Sequence, residues 1–97
     1  CGGATLRLGD GVLLWQGRTL ELTKNEAQIL QQLMENPGRT VRREALIRAL
    51  WEREDFIDDN TLTVNVTRLR RKLERIGLSG LIVTKKGEGY LAQAEPC

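Results

Sequence analysis

Arg68, Arg71 and Arg75 follow one another at steps of three and four residues, and Asn60, Val64 and Thr67 fall on the same side of a helix. A guanidinium can fork onto the two acceptors of a guanine edge. A valine or threonine methyl can touch a thymine methyl. Such a face is badly suited to a core and well suited to the major groove of duplex DNA. The chemistry it supports is recognition. Asp58 and Asp59, directly upstream, stand where a helix cap belongs, at the positive end of the dipole. With no supporting base, glycine-rich phosphate loop or metal motif, they do not read as a catalytic pair.

The element that carries this face must bury its other side. Leu62, Val66, Leu69, Leu73 and Ile76 form a narrow apolar stripe, which predicts a helix over about 59–76. Upstream, Leu6–Leu8, Val12–Trp15 and Thr19–Leu22 are strand-like runs split by Gly9-Asp10-Gly11 and Gln16-Gly17, an antiparallel meander over 5–22. Thr23-x-x-Glu26 is a capping box opening a helix over about 24–36, with Ala27, Leu30, Leu33 and Met34 inward and Asn36-Pro37-Gly38 as its stop. Arg39-Thr40-Val41 is a brief extended segment. A helix over 43–51 follows, with Leu46, Ala49 and Leu50 inward. Residues 52–57 are acidic without a helical stripe and read as a loop. Residues 81–93 read as a hairpin with a glycine-rich, lysine-flanked tip. Sheet, helix, short strand, helix, loop, basic helix and hairpin together describe an α+β winged helix-turn-helix: an N-terminal antiparallel sheet, a three-helix core and a C-terminal β-hairpin wing.

The bulk properties agree. Ninety-seven residues make one domain, spanning 1–97, with a single modest core. No apolar run is long enough to span a bilayer, so no membrane partner is expected. The net charge of +2 conceals polarity: residues 1–59 carry eight Lys/Arg against ten Asp/Glu, and residues 60–90 carry seven against two. A basic end of this kind is the footprint of a polyanion binder. Cys1 and Cys97 lack ligand-like neighbours and the chain has no histidine, which excludes the usual zinc sites. The cysteines read as free thiols in a reducing cytosol, with an end-to-end disulfide as the alternative. The opening Cys-Gly-Gly-Ala, without methionine, reads as the start of a fragment.

The combination Leu22-Thr23-x-x-Glu26, Val41-x-Arg43-x-x-Leu46, Leu50-Trp51, Asn60-Thr61-x-x-Val64-x-Val66-x-Arg68-Leu69-Arg70-Arg71-Lys72-Leu73 and Thr84-x-Lys86-Gly87-x-Gly89-Tyr90 closely resembles the DNA-binding effector domain of OmpR/PhoB-type bacterial response regulators. The similarity runs from about Leu6 to Leu91. Residues 57–70 look especially like the subgroup that senses peptide antibiotics such as bacitracin or nisin. The resemblance implies a sequence-specific transcription regulator, cytoplasmic and nucleoid-associated, with no cofactor and no enzymatic activity. It implies base contacts from Asn60, Val64, Thr67, Arg68 and Arg71, and phosphate contacts from Arg42, Thr61, Arg70, Arg75, Thr84 and Lys85. Lys86 would reach a neighbouring minor groove. The loop with Glu52, Glu54, Asp55 and Phe56 corresponds to a contact surface for RNA polymerase, although Phe56 could equally plug the core edge. Head-to-tail pairs of the domain would occupy direct repeats, with only weak self-association away from DNA.

Three departures stand out. The family's effector domains usually begin with four strands, and three are legible here. Arg42 occupies a position often held by a serine N-cap. Glu88 places an acid at the wing tip, where a minor groove is negative. No receiver domain with a phosphorylatable aspartate is legible in these 97 residues, so no phosphoryl chemistry is expected of them. Two other readings stay open on the residues alone: a winged helix used as a protein–protein adaptor, and the effector domain of a membrane-anchored one-component activator.

Overall fold

The computed structural model describes residues 5–7, 9, 11–51, 58–78 and 80–93. The expected polymerase loop, with Glu52, Glu54, Asp55 and Phe56, lies outside the described residues, as do Cys1 and Cys97. Among the described residues, no helix is long and apolar enough to cross a membrane.

Strands β1 (Thr5–Arg7), β2 (Val12–Trp15) and β3 (Arg18–Glu21) form an antiparallel sheet in sequential order. Trp15 pairs with Arg18 across a two-residue turn in which Gln16 and Gly17 have φ of 47° and 75°. Positive φ at both central positions marks the turn that matches the right-handed twist of a hairpin. The row Leu6, Leu13, Leu20 runs across the three strands in register, with Leu13 fully buried at its centre.

Helix α1 (Lys24–Met34) starts on the expected capping box. The Glu26 backbone N–H donates to Thr23 Oγ1 at 3.1 Å, and the Thr23 N–H donates to Glu26 Oε1 at 2.9 Å. It ends two residues before the expected 36, because the chain must turn at Gly38, where φ is 77°. The Gly38 N–H then donates to the Ala92 carbonyl at 2.8 Å, which docks this turn on the last strand.

Strand β4 (Val41–Arg42) leads directly into α2 (Arg43–Trp51), and α3 (Asp59–Arg75) follows. Asp58, not Asp59, is the N-cap of α3, and its carboxylate accepts the Thr61 N–H at 2.7 Å. Helix α3 closes through Gly77 at φ 94°, with Gly77 N–H to Glu74 O and Leu78 N–H to Leu73 O. This is the Schellman pattern, and buried Leu78 and Leu73 supply its apolar partners. A side chain at Gly77 would also press on the Trp15 ring at 3.1 Å.

The wing is β5 (Ile82–Lys85) and β6 (Gly89–Ala92), but it is not a free hairpin. β4 pairs with β6, Val41 opposite Tyr90 and Arg42 opposite Gly89, giving a sheet of order β4-β6-β5. That approach is close enough that a Cβ on Gly89 would be driven into the Val41 carbonyl and to 2.9 Å from Arg42 Cα. One apolar cluster unites both sheets and the three helices, with Ile29, Leu30, Leu33, Leu46, Leu62, Leu69 and Leu81 fully buried. Each such side chain contributes about 1.5–3 kcal/mol by leaving water.

Candidate nucleic-acid interface

The apolar stripe of α3 faces the core as the periodicity requires, with Leu62, Val66, Leu69 and Leu73 buried. Its opposite face is therefore held outward by the same contacts. Asn60, Val64, Thr67, Arg68, Arg71 and Arg75 are all exposed. Val64, at 39% exposure, is the exposed large hydrophobic among the described residues. A single exposed aliphatic side chain is ordinary on its own; what distinguishes Val64 is its place among the outward arginines of this face. No hydrogen bond or ion pair engages Arg68, Arg71 or Arg75 among the described residues, so their donors are available.

Two neighbouring cations on α3 are committed elsewhere. Arg70 and Lys72 leave the helix roughly 80° to either side of the core stripe, where side chains meet adjacent elements. Arg70 Nη2 donates to the Thr84 hydroxyl at 2.7 Å, joining α3 to β5. These two expected phosphate-contact residues thus touch one another. Arg70 keeps most of its five N–H groups, and the Thr84 hydroxyl keeps its proton for a phosphate oxygen. Lys72 Nζ instead sits 2.6 Å from Glu26 Oε1 and 3.2 Å from the Glu21 carbonyl. Glu26 is 1% exposed, so Lys72 neutralises a buried carboxylate and braces α3 against α1 and the first sheet.

The side chains of α3 also organise its own backbone. Thr63, Asn65 and Thr67 each donate to the carbonyl one turn earlier, at 3.1, 2.9 and 2.9 Å. With its proton so used, Thr67 presents outward an acceptor lone pair and a methyl group. Half-buried Thr61 caps against Asp58 through its N–H. The Thr61 N–H, and after it the Thr61 side chain, hold the Asp58 carboxyl below the usual carboxylate range.

Beside this face stands the wing tip. Thr84, Lys85, Lys86 and Glu88 are exposed, and Gly87 at φ 77° makes the turn. The Glu88 N–H closes the turn onto the Lys85 carbonyl at 2.9 Å. Arg42, on β4, is also exposed and lies 3.4 Å from Glu44. This ion pair leaves it on the surface at the start of α2, where a phosphate could compete for it.

The residue composition alone did not single out Arg43. It is half-buried at the junction of α2, α3 and the wing. Its Nε donates to Asp59 Oδ1 (3.1 Å), its Nη2 to Asp59 O (2.8 Å) and Thr63 Oγ1 (2.9 Å), and its Nη1 to the Tyr90 hydroxyl (2.8 Å). Its Cζ lies 5.7 Å from the Tyr90 ring centroid, near the outer limit for a cation–π contact, so the hydrogen bond dominates that pairing. Burial costs the guanidinium, but Asp59 and Tyr90 more than offset this and hold its pKa above the ordinary value. The available signal was Tyr90, whose hydroxyl needs a partner once its ring is buried. The same holds for Lys72, whose partner Glu26 lies on the buried side of α1.

The family model described as "Transcriptional regulatory protein, C terminal" matches residues 17–92. The sensory transduction protein BceR of Bacillus subtilis (strain 168) is 56% identical over 77 residues, covering 79% of this chain and 33% of that protein. The chain therefore spans about a third of that curated relative's length. Among solved structures, the C-terminal domain of the nisin resistance regulator NsrR superposes with a TM-score of 0.85 at 44% identity, covering 96% of this chain and 94% of that one. The Klebsiella pneumoniae RstA DNA-binding domain, solved in complex with the RstA box, superposes with a TM-score of 0.77 at 26% identity, covering 99% and 94%.

Proposed function

The chain belongs to the family of transcriptional regulatory protein C-terminal domains, the winged-helix DNA-binding output domains of OmpR/PhoB-type response regulators, and on that premise we propose how it reads DNA. Helix α3 enters the major groove. Arg68 forks onto guanine, Val64 covers a thymine methyl, and Asn60, Thr67 and Arg71 lie on base edges or adjoining phosphates. Thr67, with its proton already committed, accepts from a cytosine or adenine amino group. Thr61, Arg70, Arg75, Arg42, Thr84 and Lys85 anchor the phosphate backbone and set register without reading sequence. Lys86 reaches the neighbouring minor groove from the wing.

One observation carries this reading: Arg68 and Arg71 flank exposed Val64 and have no hydrogen-bond or ion-pair partner among the described residues, while the helix's other cations at the core edge, Arg70 and Lys72, are engaged. A protein-docking face would offer more aromatic or aliphatic anchors. The likeness to BceR and to the nisin resistance regulator supports a parent response regulator that answers peptide antibiotics. In it, two copies on a direct repeat would recruit RNA polymerase through residues 52–57, in the cytoplasm at the nucleoid. Selection of bound duplexes from a random pool tests the assignment, and a repeated half-site is expected. On the enriched duplex, Arg68→Ala should cost ~1–3 kcal/mol and relax one base position. Association left untouched by Arg68→Ala with Arg71→Ala would refute the proposal.

A further inference from the structure

We propose that Arg43 is a positioning residue that fixes the wing to α3, so that the two DNA-contacting elements act as one rigid reader. This inference rests on the proposed docking of α3 and the wing. Three connections converge on it. Its side chain grips the first turns of α3 at Asp59 and Thr63, and the wing strand at the Tyr90 hydroxyl. Its backbone N–H donates to the Glu88 carbonyl at 3.2 Å, in the wing turn itself. Tyr90 is buried and paired with Val41, so the hydroxyl it offers is set by the second sheet.

Geometry argues against a direct DNA contact. Four of the five guanidinium N–H groups are engaged internally, and the side chain is 27% exposed. A lysine could keep the charge but not the fork, because one ammonium cannot serve Asp59, Thr63 and Tyr90 in this planar arrangement. On the far side, the Arg70–Thr84 hydrogen bond supplies a second and weaker link between helix and wing. The distance between the helix face and Lys86 determines whether both grooves are engaged at once. Arg43 therefore acts on binding through the placement of other residues.

The decisive measurement uses the chain without DNA. Amide residual dipolar couplings for residues 60–75 and 85–89 should fit one alignment in the parent chain and require two in Arg43→Met and Arg43→Lys. Tyr90→Phe, which keeps the ring packing and removes only the hydroxyl, should loosen the wing in the same sense. It serves where the Arg43 variants fail to fold. A single alignment in every folded variant would overturn the inference, including where the melting temperature had fallen. On the selected duplex, Lys86→Ala in the parent and Arg43→Met backgrounds should show coupling of about threefold or more. Additive losses there would also overturn it. If Lys86→Ala costs nothing in the parent, the wing's role as a DNA contact fails, and the dipolar couplings still decide whether Arg43 fixes the wing.

Discussion

Lys72→Met tests whether neighbouring cations on α3 serve different ends. The ammonium lies 2.6 Å from a carboxylate that is 1% exposed, and the Thr23 N–H also donates to that carboxylate. Removing one partner of a fully buried ion pair costs roughly 3–5 kcal/mol, because the remaining charge stays desolvated. Here Lys72 is 27% exposed and the capping hydrogen bond survives, so water can replace part of the loss. A cost of about 2–3 kcal/mol is expected. For a domain of this size that lowers the melting temperature by roughly 10–20 °C. Urea and thermal unfolding followed by circular dichroism would measure it. Glu26→Gln combined with Lys72→Met should cost less than the sum of the two single substitutions, since no charge is then stranded. Below the unfolding transition, the salt dependence of DNA binding should match that of the parent chain. Stability within about 0.5 kcal/mol of the parent, or an additive cycle, would refute the reasoning.

Other consequences can be checked separately. Gly89→Ala should destabilise by more than about 2 kcal/mol, since its Cβ collides with backbone atoms of β4 instead of a flexible side chain that could swing away; denaturant titration reads this directly. Glu88→Thr should tighten DNA binding a few-fold at low salt, with the gain shrinking as salt rises, because it removes an anion from the wing tip. Equal affinity at every salt concentration would contradict it. Asp58 has a folded pKa below its ordinary 3.8. Its capping contribution is therefore complete above that value and disappears as pH falls through the lower folded pKa. A carboxyl-carbon NMR titration of Asp58, followed alongside the Thr61 amide shift, should give a midpoint below 3.8.

Features encoded by neighbouring residues were legible in the sequence. Thr23-x-x-Glu26 specifies both hydrogen bonds of the capping box, Gln16-Gly17 specifies its turn, and the α3 stripe specifies which side faces out. Long-range partners were not. β4 has two residues, too short for any periodicity, and its identity as a strand depends on β6 about fifty positions later. In the Arg70-Arg71-Lys72 run, the sequence suggests a phosphate contact and a base contact for the two arginines and leaves Lys72 without a role. The fold separates them into one joined to the wing, one outward and one facing a buried acid. Arg43 was visible only as part of a motif, because its role depends on Asp59, Thr63 and Tyr90 arriving together from two other elements.

The pairing of Val41 with Tyr90 has a practical result for engineering. A reader domain of this kind cannot be re-targeted by grafting a foreign hairpin after Gly80 alone, because the graft inherits a docking strand made forty residues earlier. A functional chimera must exchange residues 41–43 together with residues 82–92, and any library that varies the tip must leave position 89 as glycine.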